Sequence, residues 1–231
     1  MKKVAIVQSN YIPWKGYFDL IAAVDEFVLY DDVQYTRRDW RNRNQIKTSQ
    51  GLRWLTVPVK TKDKYLQTIR ETEVDGDRWE EVHWESLYRN YRRAPHFEEV
   101  ASHIQPLYRD HRYTHLSSLN RAFIDAICGY LGITTKISGS WEYDLVDGKT
   151  ERLVEICAQI GGTEYISGPA ARGYIDEGRF VEKGIKLTWF EYSGYLEYPQ
   201  LWGEFNHHVT ILDLMFNCGK EAPRYMKHVQ P

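Results

Sequence analysis

Cysteine is scarce in this chain, and long hydrophobic runs are missing. The 231 residues include three cysteines, Cys128, Cys157 and Cys218, which stand far apart and form no CxxC pair. That spacing argues against a zinc site and a disulfide framework, and it fits a reducing cytoplasm. No apolar run approaches ~18 residues, so we expect no transmembrane helix. The chain enters a strand pattern within its first residues, which predicts no signal peptide and a cytoplasmic protein.

An excess of charge of either sign is also absent. The formal net charge is -2, so the composition gives no reason to expect nucleic acid as a partner. Aromatic side chains, by contrast, are plentiful: they make up 14% of the chain, with 17 Tyr and 8 Trp. Because Tyr and Trp keep a polar tip that needs a partner, this surplus fits a site that stacks a planar ring or a sugar. The alternative is that these aromatic side chains pack helices against one another.

Strand patterns alternate with helix patterns at both ends of the chain. Strands are predicted at 4–7, 27–30, 54–59, 134–138, 164–166 and 185–191, and helices at 78–91, 116–131, 150–160, 171–183 and 205–216, with a further helix start at 95–100. This alternation favours an α/β fold with a mostly parallel open sheet and flanking helices.

The middle of the chain lacks strand signals. We therefore divide the chain into the N-terminal half of the α/β domain at 1–75, a helical insertion or subdomain at 76–132 and the C-terminal half of the α/β domain at 133–231. The last dozen residues are expected to form a solvated tail.

The loop after the first strand, 8–14, is the first candidate site. A strand that runs into a helix start offers free backbone N–H groups and the positive end of a helix dipole, both suited to a phosphate. No GxGxxG and no P-loop are present, and a plain structural turn is the alternative. We predict that a phosphate-bearing cofactor contacts Gln8, Asn10, Lys15 and Gly16, and that the substrate contacts Tyr11, Trp14 and Tyr17.

Two adjacent carboxylates, Asp31 and Asp32, follow the second strand, with Gln34 close behind as a predicted substrate contact. Carboxylates at the carboxyl end of a parallel strand lie where ligands bind. They would hold a ribose, a metal ion or the ammonium group of a substrate. The alternative is that one carboxylate caps a turn while the other faces water.

A cationic group between residues 39 and 47 is the third candidate. Arginine offers a rigid fork that matches phosphate or carboxylate, so we predict that Arg41 and Arg43 contact the cofactor. The neighbouring Trp40 and Asn44 are predicted to contact the substrate. A solvated charged face is the alternative.

A short segment after a later strand repeats the first pattern. Ser167 and Gly168 end that strand and Arg172 follows, which predicts a second set of phosphate contacts. The alternative is a helix cap formed by Ser167. The chain has no GxSxG elbow, which argues against a serine nucleophile.

The final candidate lies between residues 195 and 213. Tyr198 and Gln200 are predicted to contact the substrate. His207 and His208 are adjacent, so on a helix they would point about 100° apart and would not hold one metal ion together. We expect His208 or Asp213 to act as a general base; a surface or packing role is the alternative for each histidine. No residues are spaced as a metal-ligand motif.

Taken together, these motifs resemble the WbqC-like protein family. The resemblance lies in the segments 8–19, 27–34, 40–44, 55–59, 165–168, 172–174, 198–200 and 213–219. Family members often begin the first motif with His-Gln-Pro, where this chain has Val7-Gln8-Ser9, so no role of that histidine carries over. The resemblance implies bacterial surface-polysaccharide metabolism, including O-antigen and amino sugars.

A second, fold-level similarity is to the nucleotidylyltransferase superfamily, which includes pantothenate synthetase. It rests on the order strand, glycine-containing loop, helix and acid-ended strand. Those enzymes use a His-x-Gly-His loop on the phosphates of ATP, whereas this chain has Trp14-Lys15-Gly16-Tyr17 in the comparable place.

These observations predict an enzyme, either an ATP-dependent ligase or an acyl or aminoacyl transferase. It would join a small carboxylic or amino acid to the amine of a nucleotide-linked amino sugar, with ATP and Mg²⁺ as cofactors. Asp31 or Asp32 would hold Mg²⁺ or the acceptor amine, and His208 or Asp213 would take the proton of the amine. The alternatives are a glycosyltransferase-like enzyme and a non-catalytic sugar-nucleotide-binding module. The helical insertion would close over the site or form a homodimer.

Overall fold

The computed structural model describes residues 1–230 and is built around a five-stranded parallel sheet. The strand order is β5-β2-β1-β6-β7, and a separate two-stranded sheet pairs β3 with β4. The strands are β1 (Lys3–Val7), β2 (Glu26–Leu29), β3 (Arg43–Thr48), β4 (Gly51–Thr56), β5 (Lys136–Gly139), β6 (Glu164–Ser167) and β7 (Lys186–Trp189). The helices are α1 (Lys15–Ala22), α2 (Trp79–Tyr91), α3 (Phe97–Arg109), α4 (Leu116–Leu131), α5 (Lys149–Ile160), α6 (Glu177–Glu182) and α7 (Ile211–Cys218).

The predicted fold class, a mostly parallel open α/β sheet with flanking helices, is confirmed. Successive side chains of a strand point to opposite faces, and the two faces pack against different helices. Val4 and Ile6 of β1 face the cluster that contains α5 and α6, where the rings of Tyr165 and Phe180 stack at 5.0 Å. Ala5 faces the larger cluster, which contains α1, α4 and α7. Both faces of the sheet are therefore covered, as parallel sheets require.

Helices α2, α3 and α4 occupy the segment predicted as a helical insertion. Their buried side chains, among them Trp84, Ile104 and Phe123, belong to the same hydrophobic cluster as those of α1 and α7. Within residues 1–230, no helix combines the length and the apolar character that crossing a bilayer requires.

The segment 54–59 was predicted to be a strand, and no strand was predicted in the cationic group at 39–47. Instead, β3 and β4 pair as an antiparallel hairpin, with Arg43 opposite Thr56 and Thr48 opposite Gly51. Gly51 has a φ of 102°, a conformation that glycine adopts without strain. Strand β4 thus begins at Gly51, three residues before the predicted start, and it ends at Thr56.

Two predicted helices are shorter than expected. The segment 171–183 splits into a 3₁₀ turn at Pro169–Gly173 and the helix α6, because Asp176 caps α6 by accepting a hydrogen bond from the Gly178 amide at 2.9 Å. The helix predicted at 205–216 begins only at Ile211, where the Thr210 hydroxyl accepts from the Leu212 amide at 3.3 Å. Local caps override the helical pattern in both places.

The prediction of a solvated C-terminal tail is also wrong. Gly219–Tyr225 forms a 3₁₀ helix, and Ala222 and Val229 are buried in the larger cluster. The Asp19 carboxylate of α1 accepts hydrogen bonds from the amides of Lys227 and His228 at 2.9 and 2.6 Å. A buried acceptor on the first helix thus holds the end of the chain.

The buried carboxylate of Glu26 on β2 connects side chains near the β2–β5 edge of the sheet. It forms ion pairs with Lys2 at 2.9 Å and Lys136 at 2.8 Å and accepts hydrogen bonds from Tyr143 at 2.8 Å and Ser138 at 3.1 Å. Burial by itself would raise the pKa of Glu26, but these partners hold it at about 2. The ionised form is therefore the one that the fold favours.

We predict that Glu26→Gln lowers the free energy of unfolding at pH 7 by ~3 kcal/mol. Because the folded pKa lies below the ordinary value of 4.5, this stability is complete above pH 4.5 and disappears as the pH falls towards 2. Urea unfolding of wild type and variant across this range measures the effect, with the exposed Glu98→Gln as control. A difference that stays constant with pH would contradict the role assigned to Glu26.

Candidate functional site

The strand order places a topological switch point between β1 and β6. From β1 the chain continues to β2 and β5 on one side, whereas β6 continues to β7 on the other. Open α/β sheets bind ligands outside the carboxyl ends of the strands at such a point. Here those ends are followed by Gln8, Ser9 and Asn10 after β1 and by Gly168 after β6.

A cavity of about 270 Å³ opens beside the loop that follows β1. Its lining residues are Asn10, Pro13, Trp14, Trp40, Asn44 and His208. We call it the Trp14–Trp40 cavity. Five of these six were predicted as site residues, and they come from three separate parts of the chain; no site role was predicted for Pro13.

Aromatic contacts connect this cavity to the far side of the switch point. The Trp14 ring packs against Tyr192 at 5.5 Å and Tyr195 at 5.7 Å between ring centroids. A Cβ atom on Gly168 would lie 3.6 Å from the Tyr192 ring, so that ring covers the end of β6. Tyr192 was missed in the sequence, where the only signal is its position just after a predicted strand.

The loop from Asn10 to Trp14 is held in an unusual shape. Ile12 has a φ of 37° and is fully buried, a conformation that is strained for a β-branched residue. The Asn44 side-chain amide donates to the carbonyls of Tyr11 and Ile12 at 3.2 and 2.9 Å, and the Tyr11 amide donates to the Trp40 carbonyl at 3.0 Å. The hairpin strand β3 therefore fixes the wall of the cavity.

Arg41 supplies positive charge next to the cavity. Its guanidinium donates to the Asn10 side-chain oxygen and, at 3.5 Å, to the Gln8 carbonyl, and it lies 3.6 Å from the Asp39 carboxylate. Burial by itself would raise the pKa of Asp39, but Arg41 and the Thr36 hydroxyl outweigh this effect, so the pKa lies below its ordinary value. The Arg41 side chain is 13% exposed, so an anion beside Asn10 can reach it.

Asp31 does not reach the cavity. It is fully buried, and its two carboxylate oxygens accept hydrogen bonds from the Ser9 amide at 2.8 Å and the Ser117 hydroxyl at 2.5 Å. Burial raises its pKa. Asp32 accepts from the Ser140 hydroxyl at 2.6 Å and lies 3.6 Å from Arg70, at the β2–β5 side of the sheet. These contacts give both carboxylates structural partners.

Lys15 is also placed away from the cavity lining. Its ammonium donates to the Leu196 carbonyl at 2.9 Å and lies 5.1, 5.0 and 6.0 Å from the ring centres of Tyr195, Tyr198 and Phe205. Burial lowers its pKa to about 8. Lys15 thus fastens the start of α1 to the segment after β7.

Asp213, predicted as a base, belongs to a buried network that shapes the segment 195–206. It accepts hydrogen bonds from Tyr91 at 2.7 Å and Tyr198 at 2.9 Å, and burial raises its pKa. Gln200 donates to the Tyr198 hydroxyl at 3.0 Å and accepts from Lys47 at 2.8 Å. This network positions the segment that leads to His208.

The remaining predicted residues lie around the cavity or apart from it. The Tyr17 hydroxyl donates to the Gln8 carbonyl at 3.0 Å, and a Cβ on Gly16 would lie 2.3 Å from the Trp14 ring.

The Arg43 guanidinium lies 4.2 Å from the ring centre of Trp54, and that ring packs against Trp40 with 5.3 Å between the ring centroids. Gln34 donates to the Tyr65 carbonyl, Ser167 is buried at the end of β6, and Arg172 lies over Trp189.

The structure therefore brings Asn10, Trp14, Trp40, Asn44 and His208 together and leaves Asp32, Arg43 and Ser167 outside the lining of the Trp14–Trp40 cavity. Among residues 1–230, no three His, Cys, Asp or Glu side chains are grouped so that they could hold a metal ion.

We predict that Asn44→Ala lowers the free energy of unfolding by ~2–3 kcal/mol, because two buried carbonyls lose their donor next to the strained Ile12. Hydrogen exchange of the amides at 10–14 should also become faster. Chemical unfolding and exchange measurements test this against Gln45→Ala, the next residue on β3. Equal stabilities and equal exchange in the two variants would show that Asn44 does not hold the loop.

Comparison with known proteins identifies relatives over nearly the whole chain. The sequence model of the WbqC-like protein family matches residues 8–225. Uncharacterized protein Rv1507c of Mycobacterium tuberculosis (strain ATCC 25618 / H37Rv) is 60% identical over 228 residues, which cover 99% of each chain. No solved structure matches, so the fold-level similarity to the nucleotidylyltransferase superfamily has no structural support.

Proposed function

Because the chain belongs to the WbqC-like protein family, we propose that it is an enzyme of surface-polysaccharide metabolism. In this proposal it joins a small acyl or aminoacyl group to the amine of a nucleotide-linked amino sugar. The observation that carries the proposal is the Trp14–Trp40 cavity, where two indole rings, two amides and an imidazole meet at the switch point of a parallel sheet.

The lining of the cavity suits a sugar ring. A sugar has apolar C–H faces and polar edges, so it needs flat aromatic surfaces together with a few hydrogen-bonding groups. Trp14 and Trp40 supply the aromatic surfaces. The Asn10 side-chain oxygen accepts from Arg41, whereas its amide N–H groups have no protein partner among residues 1–230. Those donors are available to a hydroxyl or carbonyl oxygen of the sugar.

The diphosphate of the substrate would lie beside Asn10, at Arg41. A guanidinium matches phosphate oxygens with parallel hydrogen bonds, and a partly buried one interacts more strongly than an exposed one. Asp39 lies 3.6 Å away and keeps Arg41 oriented when no anion is bound. Sugar and phosphate would thus occupy neighbouring positions along the loop that follows β1.

His208 is the base in this proposal. The amine nitrogen forms a bond to the acyl carbon, the leaving group departs with its electron pair, and the nitrogen loses a proton to the imidazole. His208 lines the cavity, and its ring nitrogens have no hydrogen-bond partner among residues 1–230; the ring lies 6.4 Å from that of Trp14. Its backbone amide donates to the Asn206 side chain at 2.7 Å, which fixes the position of the residue. Histidine exchanges protons near neutral pH, as base catalysis requires.

ATP is the activating reagent that we propose, and when bound it would convert the carboxylate of the acyl donor into a form with a good leaving group. Arg41 fits the role of a phosphate contact for ATP before the sugar nucleotide binds, because one guanidinium cannot hold both sets of phosphates at once. The carboxylates predicted to hold Mg²⁺ do not fit that role, because both oxygens of Asp31 are occupied by Ser9 and Ser117, and Asp32 is engaged by Ser140 and Arg70. We therefore assign no step to a protein-held metal ion. The same contacts disfavour the Asp31–Asp32 metal clamp of a glycosyltransferase-like enzyme.

Calorimetric titration with ATP and with UDP- and dTDP-linked amino sugars tests the substrate class. We expect the wild type to bind ATP and at least one of these sugar nucleotides, and Asn10→Ala and Trp14→Ala to weaken sugar-nucleotide binding at least tenfold through lost hydrogen bonds and stacking. Tyr65→Ala, which removes an aromatic side chain that is 79% exposed and does not line the cavity, is the control. Failure of every sugar nucleotide to bind would remove the proposed substrate class.

Replacement of the base should affect turnover rather than binding. We predict that His208→Gln lowers kcat by ~10²–10⁴-fold, the usual contribution of a general base, and changes sugar-nucleotide affinity by less than about threefold, since the binding groups remain. His103→Gln, on the outer surface of α3, is the control. Sugar-nucleotide binding with no turnover by the wild type would instead support a non-catalytic binding module.

A further inference from the structure

A second and larger cavity lies outside the proposed site. It measures about 580 Å³ and is formed by the start of α2, the connection from α3 to α4 and the segment that precedes α2. We call it the α2–α4 groove. Its lining includes no residue of the Trp14–Trp40 cavity, so the two cavities have separate walls.

The two walls of the α2–α4 groove carry opposite charges. Asp77 and Glu80 lie on the α2 side, and Arg109 and Arg112 lie on the side of the α3–α4 connection. Among residues 1–230, none of these four side chains forms an ion pair. Opposite charges that meet directly approach within about 4 Å, so the groove keeps these groups apart. A ligand that carries both charges would pair with each wall.

Aromatic rings form the floor between the two walls. Trp84, Tyr108 and Tyr113 line it, and the buried Tyr108 is fixed by a 2.6 Å hydrogen bond to the Tyr11 hydroxyl, which also bonds to His83 at 2.9 Å. Aromatic faces attract a cation and exclude water from its apolar stem. A floor that is already rigid loses little freedom when a ligand binds.

The hydroxyl of Tyr113 is shielded from water and has no hydrogen-bond partner among residues 1–230. Burial, with the nearby Glu80 as a smaller cause, raises its pKa to about 12. A buried hydroxyl without a partner is uncommon in folded proteins. Tyr113 lines the groove, and its hydroxyl is a hydrogen-bonding group that the described residues leave unused, independent of the charged side chains.

We propose that the α2–α4 groove is a binding site for a free amino acid. The ammonium group lies towards Asp77 and Glu80, the carboxylate towards Arg109 and Arg112, and the side chain on the aromatic floor. Arginine pairs with a carboxylate through two parallel hydrogen bonds, which favours a carboxylate over an uncharged polar group at that wall. This site is additional to the Trp14–Trp40 cavity and does not depend on the function proposed for it.

Saturation-transfer NMR with the standard amino acids as probes, followed by calorimetry with those that bind, tests this proposal on the full chain. We expect at least one amino acid to bind the wild type, and Glu80→Gln and Arg112→Gln each to weaken its binding at least tenfold. Glu98→Gln, an acid in the first turn of α3, and the exposed Arg93→Gln are the matched charge controls and should bind as the wild type does. Circular dichroism confirms that each variant is folded.

The behaviour of the variants shows which of the two cavities binds the amino acid. Amino-acid binding that survives Trp14→Ala but not Glu80→Gln supports the groove. The proposal is overturned if no amino acid binds, if binding is lost in Trp14→Ala, or if Glu80→Gln and Arg112→Gln bind as the controls do. None of these outcomes bears on whether the Trp14–Trp40 cavity binds a sugar nucleotide.

Discussion

The loop that follows β1 runs from Gln8 to Trp14 before α1 begins at Lys15, so its buried backbone groups need partners from side chains. The Asp31 carboxylate accepts from the Ser9 amide, the Asn120 amide donates to the Ser9 hydroxyl at 2.9 Å, and Asn44 donates to two carbonyls, one of them that of the strained Ile12. An unpartnered buried backbone group is costly. These side chains therefore determine the shape of the loop, and the loop forms one wall of the cavity.

The helices between 76 and 132 take part in this support. Ser117 and Asn120 lie on α4, and Asn120 also donates to the Arg41 carbonyl at 2.9 Å. Tyr108 of α3 bonds to the Tyr11 hydroxyl in the same loop. The helical segment and the sheet thus share one hydrophobic cluster and one polar network. A change in α3 or α4 would reach the cavity through these contacts without contacting a ligand.

The sequence predicted the elements whose pattern is local. Helix α4 and the central strands have hydrophobic periodicity that identifies them without tertiary information. The segment 205–210 has a helical pattern too, yet it is not helical. The Gln200 side chain donates to the Asn206 carbonyl, and Lys47 on β3 holds the same region. The contact of Lys47 with Gln200 joins residues 153 positions apart, so it cannot be read from local spacing.

A similar distinction applies to the site. Aromatic and amide side chains at the end of β1 were predicted to meet because polar groups that follow a buried strand collect at the sheet edge, and Asn10 and Trp14 do line one cavity. Asp31 and Asp213 were also predicted as catalytic, since a sequence does not show whether a carboxylate faces a cavity or a buried donor. Their partners, Ser117 for Asp31 and Tyr91 for Asp213, lie more than eighty residues away along the chain.

A crystal structure of the protein with a bound nucleotide-linked amino sugar tests the central claim most directly. We expect the sugar ring between Trp14 and Trp40, its amine facing His208, and the diphosphate next to Arg41. A sugar nucleotide bound elsewhere on the molecule, with the Trp14–Trp40 cavity filled only by solvent, would contradict the assignment of this cavity as the active site.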